Sequence, residues 1–171
     1  MVIIQYCYTR RLALSLHHKD NQIRNNHEIE FVWVGDGEDF VRLKQKSVEE
    51  HVNINFIGFT EYPMSYLKNA DLYLSTSRFE GLPYALIEAA SVGLPIVATD
   101  VVGNNEVVLH DYNGLVFKPE QEAVDAIKKL SINADLLNRY SINSRELYLK
   151  TFTMEKMISS IVDTYVQVLN Q

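Results

Sequence analysis

Short apolar runs alternate with longer segments of helical spacing along most of the chain. The runs are rich in β-branched and aromatic residues and end at turn residues, which is typical of buried strands. We predict strands over residues 2–8, 30–34, 54–56, 72–75, 96–99 and 115–117, and helices over 11–25, 38–50, 63–70 and 84–92. This alternation predicts an α/β fold: a Rossmann-like, doubly wound parallel sheet of about six strands flanked by helices.

The pattern changes after Pro119. Residues 120–130, 134–151 and 154–169 each have helical spacing, and no strand pattern lies among them. We therefore predict an all-helical tail over 119–171. Because no linker-like stretch divides the chain, residues 1–171 are expected to form a single domain.

Composition limits the classes of function. The chain has 171 residues, of which 47% are hydrophobic, enough for one packed core. The net charge of −6 argues against a nucleic-acid partner, which needs basic residues to contact phosphates. A single cysteine, Cys7, cannot form an internal disulfide. No apolar run approaches the roughly 18 residues of a membrane span, so we expect a cytoplasmic protein with at most a peripheral role at the inner face of the membrane.

Residues 75–90 form the most informative segment: a predicted strand end, a loop and the start of a helix. Gly81 permits a backbone turn that brings amides close to a ligand, and Pro83 suits the first helical position, where its missing N–H costs nothing. The N–H groups of Tyr84 and Ala85 would then lack intrahelical acceptors. With the positive end of the helix dipole, they predict an anion site suited to phosphate.

Two carboxylates flank this predicted phosphate site. Glu80 precedes the helix, and Glu88 lies inside it, eight positions later. A carboxylate can accept hydrogen bonds from two neighbouring hydroxyls, as in ribose recognition. One ligand could present hydroxyls to both acids and a diphosphate between them, which is the layout of a nucleotide sugar. The loop after strand 72–75 also lies at the carboxyl edge of the sheet, where open α/β folds bind ligands.

The segment Glu80-Gly81-Leu82-Pro83 with Glu88 resembles the E-x7-E motif of glycosyltransferase family four, a group with the two-domain GT-B fold. The resemblance extends from about residue 28 to the end of the chain. The other segments that match in order and spacing are 34–37, 54–59, 69–72, 88–90, 93–100, 103, 105–108, 113–116 and 152–156.

This resemblance implies that a sugar is transferred from a UDP- or GDP-linked donor to an acceptor hydroxyl, with retention of anomeric configuration. No cofactor or bound metal is implied, and the five histidines show no metal-ligand spacing. The chain would be the donor half of such an enzyme, acting in bacterial surface polysaccharide synthesis. Its main contribution would be electrostatic stabilisation of the departing diphosphate.

The resemblance also assigns residues to the parts of the donor. Contacts to the donor sugar are implied for Glu80, Gly81 and Leu82, with Glu80 as the catalytic residue. Contacts to the nucleotide and its diphosphate are implied for Tyr84, Ala85, Glu88, Gly35, Gly37, Gly58 and Phe59. Among these, Glu88 would bind the ribose, and the base would lie near Gly58 and Phe59.

The basic residues depart from the family pattern. In the family, an Arg and a Lys six positions apart after the first strand of the domain neutralise the diphosphate. Here Arg10 and Arg11 follow the first predicted strand, and the nearest lysine, Lys19, comes eight positions after Arg11. Residues eight apart on a helix lie about 80° apart around its axis, so both would not face one phosphate without an irregular turn. The sequence leaves open which group neutralises the diphosphate.

An acceptor-binding, amino-terminal GT-B domain is not part of this sequence. Because GT-B sites are clefts between two domains, we expect this half to need the other in cis or in trans, and to be inactive alone. In the family the last helix, here 154–169, packs on that other domain. We therefore expect exposed apolar surface on this helix, which is compatible with a homodimer.

Two other functions stay open at this stage. The altered basic residues favour a nucleotide-sugar-binding or interaction module without catalysis. Another GT-B enzyme, such as a nucleotide-sugar 2-epimerase, would contain a similar domain. A flavodoxin-like regulator is disfavoured, because its acidic cluster and phosphoacceptor Asp are not evident after the first strand.

Overall fold

The computed structural model describes residues 1–6 and 29–170. Within these residues, six strands form one sheet in the order 3-2-1-4-5-6, and each neighbouring pair is parallel. This is the Rossmann strand order. Strands 1 to 3 are added towards one side of the sheet and strands 4 to 6 towards the other, so the order of strands reverses between the first and the fourth. The strands are β1 (Val2–Tyr6), β2 (Glu30–Val34), β3 (Ile54–Gly58), β4 (Leu72–Ser75), β5 (Ile96–Thr99) and β6 (Gly114–Phe117).

Seven helices lie between and after the described strands. They are α1 (Phe40–Glu49), α2 (Pro63–Lys68), α3 (Tyr84–Ser91), α4 (Asn104–Val107), α5 (Glu120–Ser131), α6 (Ala134–Thr151) and α7 (Met154–Leu169). The α/β class, the six-stranded parallel sheet and the helical tail are therefore confirmed. The last two helices have the predicted bounds, and most other elements differ from prediction by one or two residues at an end.

One helix was not predicted from the sequence. Helix α4 has only four residues and follows Gly103, and both asparagines in it are turn-forming residues. Such a segment is too short to show helical spacing. The predicted helix over 11–25, the end of the first predicted strand at 7–8, and Cys7 lie outside the described residues.

The sheet has a hydrophobic cluster on each face. Ile3 and Leu74 belong to one cluster, which packs against α5, whereas Ile4 and Tyr73 belong to the other, which packs against α2 and α3. Successive residues of a strand point to opposite faces, so a strand covered on both sides is apolar throughout. Strand β4 is buried along its whole length, because it lies near the centre of the sheet.

Helix α6 fixes the position of α3 over the sheet. The Arg145 guanidinium donates a hydrogen bond to the Ser91 carbonyl at the end of α3. Two residues later, Gly93 lies so close to α6 that a β-carbon there would be 3.3 Å from the Ser141 carbonyl oxygen. The carboxyl end of α3 is thus held at the amino edge of the sheet, and its amino end lies at the opposite, carboxyl edge.

Helix α7 has no buried residue. Its apolar side chains, among them Ile161, Val162 and Tyr165, are about half exposed or more. The expectation of exposed apolar surface on the last helix is confirmed. None of the helices within residues 29–170 is both long and apolar enough to cross a bilayer.

A matched pair of isoleucines tests the description of the core. Ile127 of α5 is fully buried, whereas Ile132, just after that helix, is 86% exposed. We expect Ile127→Ala to lower the free energy of unfolding by about 2–5 kcal/mol, because it leaves a cavity in a packed cluster. Ile132→Ala should change the free energy of unfolding by less than about 1 kcal/mol. Urea denaturation measures both; similar losses for the two variants would contradict this packing.

Candidate functional site

The loop between β4 and α3, residues 76–83, leaves the sheet where the strand order reverses. It is called the β4–α3 loop below. The buried Gln5 side chain of β1 donates from Nε2 to Thr76 Oγ1 at 2.7 Å. On the other side, Thr99 Oγ1 of β5 donates to the Ser77 carbonyl. The start of this loop is therefore tied to both strands that neighbour β4.

The far part of the β4–α3 loop lies directly against Gly103. A β-carbon at Gly103 would overlap the Gly81 carbonyl oxygen and would lie 2.9 Å from that of Glu80. Gly103 also has a φ of 89°, which favours glycine. Gly81, by contrast, does not have a positive φ, and a β-carbon there would meet no atom within 4 Å. The glycine that the turn requires is thus Gly103, whereas the sequence interpretation placed this requirement on Gly81.

Helix α3 begins with open amide groups. The helix begins at Tyr84, as the predicted range of 84–92 has it, but Pro83 is the N-cap residue before it and not the first helical residue that the sequence interpretation expected. The Pro83 carbonyl accepts hydrogen bonds from Leu86 N at 3.0 Å and Ile87 N at 3.2 Å. The N–H groups of Tyr84 and Ala85 donate to no described residue. These are the two amides that the sequence assigns to a diphosphate, and the structure leaves them available.

A cavity of about 490 Å³ lies between α3, the end of α6 and α7. Three predicted site residues line it: Leu82, Tyr84 and Glu88. Lys156 of α7 adds a cation to its otherwise largely apolar wall. Desolvation by these walls raises the pKa of the Glu88 carboxyl, although much of the side chain remains open to solvent.

Glu80 does not line the cavity that contains Glu88. The buried face of α3 consists of Leu86, Ala89 and Ala90, so Glu88 points outward beneath α7. Glu80 is half-buried in the part of the β4–α3 loop that packs on Gly103. The sequence predicts that Glu80 and Glu88 line one ligand site, whereas of these two acids this cavity contains only Glu88.

The other predicted residues lie at the carboxyl ends of β2 and β3. Gly35 N donates to the Gly58 carbonyl at 2.8 Å, which joins the two loops, and both glycines have positive φ values. Gly37 is exposed and begins the turn into α1, where its carbonyl accepts from Phe40 N at 2.9 Å. Phe59 projects its ring into solvent. All four residues thus lie at the same edge of the sheet as the β4–α3 loop.

Charged groups at this edge differ in whether they are already paired. Lys118 Nζ lies 3.1 Å from Asp100 Oδ2, and Asn105 donates to Asp100 Oδ1 at 2.7 Å. The hydrogen bond from Asn105 and the Lys118 ammonium lower the pKa of Asp100. Arg78 is exposed on the β4–α3 loop. Arg10, Arg11 and Lys19 lie outside the described residues, and among those described no three His, Cys, Asp or Glu side chains form a metal-binding group.

Solved structures define the class of this domain. TarM superposes with a TM-score of 0.86 at 21% identity, covering 99% of this chain and 35% of TarM. Anabaena Alr3699/HepE in complex with UDP-glucose gives a TM-score of 0.83 at 21% identity, covering 97% of this chain and 48% of that protein. The fold is therefore that of one Rossmann-like domain of a GT-B glycosyltransferase.

The sequence defines the family. The profile of the family described as glycosyl transferases group 1 matches residues 12–147, so the chain belongs to this family. A relative from Escherichia coli, UDP-Gal:alpha-D-GlcNAc-diphosphoundecaprenol alpha-1,3-galactosyltransferase, is 28% identical over 144 residues. That alignment covers 81% of this chain and 37% of the relative. The chain thus spans little more than a third of that enzyme.

The raised pKa of Glu88 predicts a pH dependence of stability. In the folded chain this carboxyl holds its proton to a higher pH than the ordinary value of 4.5. The contribution of this carboxyl to the free energy of unfolding is therefore fully present below pH 4.5. It is lost as the pH rises through the pKa of the folded state. We expect the wild type to lose stability relative to Glu88→Gln across that window, because glutamine stays neutral. Urea denaturation from about pH 4 to about pH 8 measures this, and a constant difference would contradict it.

Proposed function

We propose that this chain binds the nucleoside-diphosphate sugar donor of a retaining glycosyltransferase of family four. The donor would be UDP- or GDP-linked, and the glycosyl group would pass to an acceptor hydroxyl in polysaccharide synthesis. The observation that carries the proposal is the open amino end of α3, which directly follows Glu80, Gly81 and Leu82. Membership of the glycosyl transferases group 1 family supports it, as do a relative named for UDP-Gal and a solved neighbour with UDP-glucose.

In this proposal the amino end of α3 binds the diphosphate. The N–H groups of Tyr84 and Ala85 have no acceptor among the described residues, and they lie at the positive end of the helix dipole. Negative charge builds on the diphosphate as the bond between it and the transferred sugar breaks. Donors fixed in advance stabilise that charge without reorganisation during the reaction. No metal is required in this scheme, because amides and cations carry the stabilisation.

The two acids take different parts of the donor. Glu80 would accept hydrogen bonds from hydroxyls of the transferred sugar, and open space at Gly81 leaves room for that ring. Glu88 would bind the ribose hydroxyls from the outer face of α3. Glu80 and Glu88 lie on different sides of the amino end of α3. One extended donor that contacts both acids would therefore lie across this end of the helix. The base would then lie towards Gly58 and Phe59.

Transfer would require a second half that carries the acceptor. The chain spans 37% of the E. coli enzyme, and GT-B sites lie between two domains. We propose that the second half packs on α7, in cis or in trans, in a cytoplasmic enzyme at the inner face of the membrane. Without it, the chain is expected to bind donor only weakly and not to transfer sugar. The alternative of a binding module without catalysis predicts no transfer even with the second half present.

Calorimetric titration of the chain with UDP, UDP-galactose and the corresponding GDP compounds tests the donor site. We expect Glu88→Ala to raise the Kd for the preferred nucleotide roughly 10-fold or more, because hydrogen bonds to a charged group contribute about 1.5–3 kcal/mol. Glu49→Ala, at the carboxyl end of α1 on the opposite edge of the sheet, is the control and should leave the Kd unchanged. Equal affinity of wild type and Glu88→Ala would remove the ribose assignment.

Sedimentation velocity tests whether the exposed face of α7 drives self-association. Val162 of α7 is 51% exposed, and Val41 of α1 is 65% exposed. If two copies cover α7, the chain should dimerise as concentration rises, since apolar area would leave water. Val162→Glu should then shift the equilibrium towards monomer, and Val41→Glu should not. A chain that stays monomeric at every concentration would contradict the homodimer.

A further inference from the structure

The part of the β4–α3 loop that would contact the donor sugar has few attachments of its own. Within the described chain, no hydrogen bond joins residues 78–82 to any other residue. Only their neighbours are held: Thr76 and Ser77 are buried on one side, and Pro83 is buried on the other. The position of Glu80 therefore depends on these two ends and on what packs against the segment between them.

Gly103 is the residue that packs against this segment. The carbonyl oxygens of Glu80 and Gly81 both lie against its α-carbon, so closely that no β-carbon would fit. Gly103 precedes α4, and the first residue of that helix, Asn104, is fully buried. The contact therefore joins the loop to a fixed part of the fold.

A hydrogen-bond chain links the same helix to the start of the loop. Asn104 Nδ2 donates to the Thr99 carbonyl at 3.0 Å and to Thr99 Oγ1 at 3.1 Å. Thr99 Oγ1 in turn donates its single proton to the Ser77 carbonyl. The hydroxyl thus accepts from α4 and donates to the β4–α3 loop, and no aliphatic side chain can replace both functions.

We propose that Thr99 and Gly103 are positioning residues for Glu80. They fix the backbone at both ends of residues 77–81, so that the Glu80 carboxylate meets the hydroxyls of the donor sugar without first having to be ordered. This inference rests on the proposed role of Glu80 at the donor sugar. Neither residue contacts donor itself; each acts through the loop backbone.

Comparing two ligands separates positioning from a general effect on folding. UDP has the ribose and the diphosphate but lacks the transferred sugar, so in this proposal its affinity depends on the α3 amides and Glu88. The affinity for UDP-galactose depends on Glu80 as well. The measured quantity is the ratio of the Kd for UDP-galactose to the Kd for UDP, from calorimetric titration of the 171-residue chain. A variant that only loosens the fold raises both Kd values together and leaves the ratio unchanged.

We expect Thr99→Val to raise this ratio roughly 3- to 10-fold, as the loss of one or two hydrogen bonds would. Thr99→Ser keeps the hydroxyl and should restore the wild-type ratio. Glu80→Gln serves as the reference and should raise the ratio as well. If Glu80→Gln raises it and Thr99→Val does not, the positioning role is overturned. If neither UDP and UDP-galactose nor the corresponding GDP compounds bind, or if Glu80→Gln leaves the ratio unchanged, the proposed function of Glu80 fails and the inference fails with it.

A pair of glycine variants tests the backbone contact independently. Gly103 and Gly93 both have positive φ, so alanine introduces backbone strain at each. Only at Gly103 does the added β-carbon meet the loop, since at Gly93 it meets the Ser141 carbonyl of α6. Gly103→Ala should raise the ratio, and Gly93→Ala should not. Equal ratios for two folded variants would overturn the contact's role; if Gly103→Ala does not fold by circular dichroism, the Thr99 pair decides.

Discussion

The pairing of β4 with β1 on one side and β5 on the other is the constraint on which the site depends. Because β4 is buried and parallel to both neighbours, its carboxyl end emerges between theirs. Each neighbour then contributes one polar side chain to the loop that follows: Gln5 to Thr76 and Thr99 to Ser77. The amino end of α3 is directed to the same edge, since α6 holds the other end of that helix. The topology thus brings unpaired amides and two acids near one edge.

The sequence predicts this architecture well because buried parallel strands are apolar throughout and long helices have a clear period. The predicted bounds of α6 and α7 agree with the structure, and the open amides at Tyr84 and Ala85 follow from a proline before a helix. The short α4 has no such signal. The approach of Gly103 to Gly81 also has no signal in the sequence. A contact between two loops depends on how β4 and β5 align and not on the spacing of residues within either segment.

The surroundings of Glu88 show a second limit of sequence reasoning. Its place one turn into α3 could be predicted, but the walls that raise its pKa come from the end of α6 and from α7, more than fifty positions later in the chain. The same walls explain why Glu80 and Glu88 do not line one cavity, since α7 faces the outer side of α3 and, of the β4–α3 loop, only Leu82. Whichever surface covers the apolar side of α7 therefore also alters the environment of this acid.

The charge of the donor limits what the described residues can do alone. A helix terminus provides about half a positive charge, whereas the diphosphate of a nucleotide sugar carries about two negative charges. Lys118 is already paired with Asp100, so its positive charge is largely neutralised. In the proposed function, the α3 amides would therefore orient the diphosphate more than they would neutralise it, and full cations would have to supply the remaining positive charge. Arg78 is exposed on the β4–α3 loop, and Arg10 and Arg11 follow β1, the strand adjacent to β4, in the chain. The net charge of −6 would make these few cations more important to the proposed function, because the rest of the chain would repel an anionic donor.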